Sequence, residues 1–207
     1  MLEHLPGWLG EALSNVRAGA DKVVAIDLAS ADTTPITLTS TAFAEGARLP
    51  ERFTADGEGV SPPLTWTDPP EGTQALALIV EDPDAPAPDP LVHAILWDID
   101  PATNALPEGA VGVEGDGEPG GARPETGRNS YLQTGWLPPD PPTGHGAHRY
   151  VFQLFALSQV PDLDGTIGRG ELKDKIGPLV IGLGVLTGTY SRGEAAPSGP
   201  AGAPATA

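Results

Sequence analysis

Ala75-Leu76-Ala77-Leu78-Ile79-Val80-Glu81-Asp82-Pro83-Asp84-Ala85-Pro86 is the stretch on which the architecture turns. Six apolar side chains in a row, bounded by Gly72 on one side and Pro83 on the other, make a run of strand length that reads as a short β-strand. Two carboxylates, Asp82 and Asp84, follow between prolines. Each proline locks its own φ and keeps its predecessor out of the helical region, so the segment is a stiff, preshaped strand exit. Taken alone, it is a Pro-rich turn showing acidic groups to water. At the end of a central strand it also stands where a rigid scaffold presents a site.

Further strands lie on either side. Ile36-Thr37-Leu38-Thr39 alternates, and residues 92–99 and 150–157 are apolar runs with turn-forming residues at their ends. Helical periodicity is weak between residues 33 and 161, which disfavours parallel βαβ units and points to a mainly β, mainly antiparallel assembly. Residues 170–183 are expected as a C-terminal helix interrupted by Pro178 and weakened by Gly182 and Gly184, with a final short strand over 186–190. Near the start, Leu2, Leu5, Leu9, Leu13 and Val16 recur at spacings of three and four, the pattern of an amphipathic helix. Its apolar stripe packs on its own domain or, alternatively, forms a homodimer contact. The organisation expected is a helix and linker over 1–30, a β domain over 31–192 and a disordered tail over 193–207, where only Gly, Ala, Pro, Ser, Thr and Glu194 occur. A second Gly-rich, acidic stretch, 109–121, reads as a solvated loop.

Composition removes several functions. The 207 residues include no cysteine, which excludes zinc thiolate sites, Fe–S clusters and cysteine nucleophiles. A formal charge of −17, with no two lysines or arginines adjacent, leaves no basic patch for nucleic acid or an anionic membrane. Carboxylates spread through every segment fit a protein kept soluble in high salt, where screening removes self-repulsion. No apolar run approaches the roughly 20 residues of a membrane span, and the first residues hold Glu3 and His4 in place of a basic leader, so a cytoplasmic protein is expected.

Three of the four histidines gather at strand ends. His93 opens the run 91–99, while His145 and His148 sit in a Pro/Gly-rich loop, 138–149, just before the strand at 150. Two imidazoles and the Tyr150 hydroxyl offer hydrogen-bond donors, and glycines such as Gly144 let backbone N–H groups approach an oxyanion. Asp82 would orient an imidazole beside it and favour its cationic form.

Phe53-Thr54-Ala55-Asp56-Gly57, Ser61-Pro62-Pro63-Leu64-Thr65-Trp66, Asp82-Pro83-Asp84-Ala85-Pro86, Val92-His93 and Gly146-Ala147-His148-Arg149-Tyr150-Val151-Phe152 follow one another in this order. Together they closely resemble the phosphatidylethanolamine-binding protein family, in its bacterial and archaeal branch. Gly188-Thr189-Tyr190-Ser191-Arg192 resembles the closing strand, so the resemblance covers about residues 35–192. It implies an antiparallel β-sandwich-like fold with a few peripheral helices and a small pocket for a phosphate-like, carboxylate or phospholipid headgroup-like ligand. It places Asp82, Pro86, His93, Pro142, His148 and Tyr150 around that pocket, with Asp84 supporting the loop. Two departures bear on it: Ala94 stands where the family usually has Trp, which is expected to widen the pocket, and Asp140 replaces a small residue, which is expected to weaken anion binding.

The reading is a non-enzymatic binding protein with no catalytic residue, no cofactor and no metal. Three alternatives stand beside it. Ser61 or Ser130 could join His93 or His148 and Asp82 in a hydrolytic triad, although neither serine sits in a nucleophile-elbow motif. His145 and His148 with Asp82 or Asp140 could ligate zinc, although Gly144 and Gly146 oppose the helix that would put both histidines on one face. Some members of the family inhibit proteases or modulate kinase signalling, so a protein partner is a further alternative.

Overall fold

The computed structural model describes residues 17–112, 124–163 and 166–193. The helix expected over residues 2–16, most of the 109–121 loop and the tail beyond Gly193 lie outside them. Described in chain order, the strands are β1 (Thr34–Pro35), β2 (Leu38–Thr39), β3 (Leu64–Trp66), β4 (Ala75–Asp82), β5 (Leu91–Ile99), β6 (Ala105–Leu106), β7 (Glu125–Thr126), β8 (His148–Leu157) and β9 (Val180–Tyr190). Two short helices, α1 (Val24–Leu28) and α2 (Arg169–Ile176), accompany them.

The strands form a six-stranded sheet in the order β1-β9-β8-β4-β5-β7 and a three-stranded sheet in the order β2-β3-β6. All pairs are antiparallel except β1 with β9 at one edge. The mainly β fold class is thus the one observed, with the sandwich uneven: a large sheet carries a small one on one face and helices on the other. Strand β4 lies at the centre and every one of its residues is buried. Its even positions, Leu76, Leu78 and Val80, pack with Leu38, Leu64, Trp66 and Leu106 from the small sheet. Its odd positions, Ala77 and Ile79, pack with Val24 and Ala25 of α1 and Leu172 and Ile176 of α2. Burial on both faces is why β4 reads as an unbroken apolar run rather than an alternating one.

Two sequence expectations change here. The alternating stretch 36–39 is shared between sheets, since the Ile36 N–H bonds the Leu183 carbonyl of β9 at 2.9 Å whereas Leu38 and Thr39 pair with β3. The C-terminal helix is confined to Arg169–Ile176, and β9 begins at Val180, six residues before the expected strand. Pro178 stops the helix by its missing N–H, and the glycines that weaken helix serve the strand. A Cβ on Gly184 would lie 2.9 Å from the Ile36 carbonyl oxygen, so only glycine lets the edge chain come this close. Residues 17–30, read with the linker, lie against the β domain: Ala18 N–H bonds the Ala85 carbonyl at 3.0 Å and Val24 is fully buried.

Candidate functional site

The strand exit after β4 and the loop before β8 meet at one end of the large sheet. Between them is a cavity of about 430 Å³ lined by Asp82, Pro86, His93, Asp140, Pro142 and His148, among others. Tyr150 does not line it; its ring meets the His93 ring edge-on at 5.0 Å. Asp84 turns away and holds the loop, accepting bonds from Arg149 Nε at 2.7 Å and Nη2 at 2.8 Å and pairing with Arg17 at 2.9 Å. Burial alone would raise the Asp84 pKa, but the Arg149 bonds outweigh it and bring it down to about 2. Gly144 and Gly146, at φ 83° and 90°, occupy the left-handed region and fold the loop so that His145 faces back on His148.

His93 reaches the cavity through an irregularity. Val80 is paired with Ala94 and Glu81 with Val92, so His93 is the extra residue of a β-bulge, a device that re-aims a side chain. Leu137 fixes it from both sides. The Leu137 N–H donates to the His93 carbonyl at 2.8 Å, and His93 Nδ1 donates to the Leu137 carbonyl at 2.6 Å. Its other nitrogen, Nε2, is buried without a partner among the described residues, as is the Tyr150 hydroxyl. Burial pushes the His93 pKa down against the pull of Asp82, which keeps the imidazole neutral. Burial, reinforced by Asp82 and Asp140, pushes the Tyr150 phenol well up, so it stays protonated.

His148 is fully occupied. Its Nδ1 faces Asp82 Oδ2 at 2.7 Å and its Nε2 faces His145 Nδ1 at 2.6 Å. Asp82 Oδ1 accepts the Asp84 N–H at 2.8 Å. The expectation that two imidazoles offer N–H donors to the cavity is therefore corrected: His148 spends both nitrogens on protein neighbours, and neutral His93 presents a lone pair.

The two departures have surroundings that the sequence did not show. Ala94 is buried in the main core with Trp136 and does not line the cavity, so its small size does not widen it. Trp136 supplies an indole 6.1 Å from His93. Asp140 lines the cavity but is ion-paired with Arg192, which also bonds Asp56 at 2.6 Å and is itself pushed up by these carboxylates. Sequence reading missed Leu137, Trp136 and Arg192 as parts of the site. Leu137 and Trp136 lie in no quoted motif, and Arg192, which ends the closing-strand motif, carries no sign of its pairing with Asp140.

Neither the serine triad nor the zinc site assembles among the described residues. Ser61 Oγ accepts the Val111 N–H at 3.1 Å and Ser130 Oγ the Val92 N–H at 2.8 Å, and neither lines the cavity with the histidines. A metal between His145 and His148 would have to displace the bond between the imidazoles. Among the described residues no group of three or more His, Asp or Glu is arranged to hold one, and no helix is long and apolar enough to cross a membrane.

A two-sheet β fold with helices on the outer face, opening at the strand ends into a cavity edged by Asp82, His93 and His148, defines a phosphatidylethanolamine-binding-type protein. The phosphatidylethanolamine-binding protein model matches residues 39–191, and the chain belongs to that family. It is 36% identical over 155 residues to a UPF0098 protein of Methanothermobacter thermautotrophicus, covering 73% of this chain and 96% of the relative. Among solved structures, a phosphatidylethanolamine-binding protein homologue from Chlamydia trachomatis superposes with a TM-score of 0.68 at 30% identity, over 77% of this chain and 99% of that one. Escherichia coli YbcL superposes with a TM-score of 0.69 at 27% identity, over 75% and 98%.

Proposed function

We propose that the chain is a non-catalytic binding protein whose cavity takes a small molecule through a phosphate-like or carboxylate group. Asp82, Pro86, His93, Pro142 and His148 form its binding set, with Tyr150 packed behind His93 and Asp84 and Gly144 holding the loops. The observation that carries this reading is the buried, partnerless Nε2 of His93 at the cavity. A buried polar atom without a hydrogen bond costs about 1–3 kcal/mol, which a ligand of matching polarity recovers. A phosphate-like group carries a P–OH that can donate to His93 Nε2, whereas a hydrocarbon would leave that nitrogen orphaned. Asp82 and His145 hold the His148 ring in place, and the prolines give an apolar wall for the ligand's body.

Titration calorimetry with phosphoethanolamine at pH 6 tests it. Wild-type protein is expected to bind, His93→Phe to bind at least tenfold more weakly, and phosphorus NMR to recover the phosphoethanolamine unchanged. Equal affinity in the variant, or release of inorganic phosphate, would count against the reading.

A further inference from the structure

The hydrogens around His93 limit what the ligand can be. A carbonyl has no proton to give, so the bond to Leu137 places the imidazole proton on Nδ1 and leaves Nε2 as an acceptor. Every charged or titratable group facing His93 reinforces that polarity or is engaged. Asp82 arrives from the end of β4, spent on His148 and the Asp84 N–H. From β8 come His148, with both nitrogens bonded, and Tyr150 as a neutral phenol. Asp140 of the 138–146 loop is paired with Arg192. A fully ionised oxygen pointed at Nε2 would meet a lone pair with the Asp82 carboxylate nearby.

We infer that the cavity takes its ligand's acidic group with one proton still on it: a phosphomonoester monoanion donates its P–OH to His93 Nε2. A phosphodiester has charge but no such proton, and is refused. No bond is made or broken; the proton is shared between phosphate oxygen and imidazole. This rests on the binding function proposed above, and deepens it by naming the protonation state and the ester class. Burial of His93 adds support, because an imidazolium there would lose its hydration.

The test is titration calorimetry of the full chain with methyl phosphate and dimethyl phosphate from pH 5.5 to pH 8. Phosphate monoesters lose their second proton at a pKa of about 6, so methyl phosphate is expected to bind about 50-fold more weakly at pH 8 than at pH 6. At pH 8, buffers of different ionisation enthalpy should report uptake of about one proton per ligand bound. Dimethyl phosphate should bind at least tenfold more weakly than methyl phosphate at pH 6. A His93→Gln variant, whose amide can donate, should bind methyl phosphate with a flatter pH profile; if it does not fold, the wild-type proton uptake still decides. Dimethyl phosphate binding as tightly as methyl phosphate, or methyl phosphate affinity that is flat or rises with pH, overturns the inference while leaving the binding function intact. Failure of both esters at every pH overturns the two together.

Discussion

At the end of β4, Glu81 turns toward the helices and Asp82 toward the cavity, and these adjacent buried carboxylates have been given opposite surroundings. Glu81 Oε2 accepts the Val24 N–H and Gln153 Nε2, both at 2.8 Å, and Oε1 accepts Arg169 Nε at 2.5 Å. Gln153 Oε1 in turn accepts the Ala25 N–H at 2.6 Å. That network is closed, and it pins α1 and α2 to the sheet. On the other face, Asp82 and His148 are bonded, yet His93 Nε2 and the Tyr150 hydroxyl beside them have no partner among the described residues. Closed polar networks hold a fold together, whereas one left open at a cavity keeps unspent hydrogen-bonding capacity for a ligand.

The largest effect is expected on the closed side. Arg169→Ala leaves a buried Glu81 without its counter-charge and is expected to cost about 3–5 kcal/mol in urea unfolding. A loss below about 1 kcal/mol would mean that the helix-side network does not carry stability. Asp82→Ala is the matching change on the open side. It frees the Asp84 N–H and His148 Nδ1, but water can enter from the cavity, so about 1–2 kcal/mol is expected. Equal losses in the two variants would erase the distinction between the faces.

His93→Phe is expected to have the smallest effect. The change removes the orphaned Nε2 and also strands the Leu137 carbonyl, so stability at pH 7.5 should move by no more than about 1 kcal/mol. The acid response should change more clearly. Because the folded-state His93 pKa lies below its unfolded value, the unfolded chain takes up a proton that the folded one refuses. This group's contribution is therefore intact above about pH 6.5 and declines as pH falls below it, by up to about 1.4 kcal/mol per pH unit. Urea unfolding at pH 7.5 and 5.5 should show wild type losing more stability than His93→Phe over that interval; parallel losses would assign the proton elsewhere.

Much of the frame could be read in advance. The run 75–80, the strands at 92–99 and 150–157 and the stiff exit at Pro83 and Pro86 follow from local preferences, and the structure keeps all of them. The failures occur where the decisive partner is distant. Gly182 and Gly184 read as poor helix, but only the approach of Ile36 and Pro70 explains why a strand needs them. Asp140 read as a bare carboxylate because Arg192 is 52 residues away. His145 left a metal-ligand alternative open because its spacing to His148 was visible and its bond to that ring was not.

By itself the sequence determined which segments become strands, that the chain is strongly acidic and thiol-free, and which residue types could meet at the strand ends. Tertiary structure alone decided their polarity toward one another. The bulge that aims His93, the Leu137 carbonyl that fixes its proton 44 residues away and the closure of Asp82 on His148 across 66 residues are properties of register and packing. Local preference acts over a few residues, whereas the hydrogen-bonding direction of a buried imidazole is set by whichever groups the folded chain brings against each nitrogen.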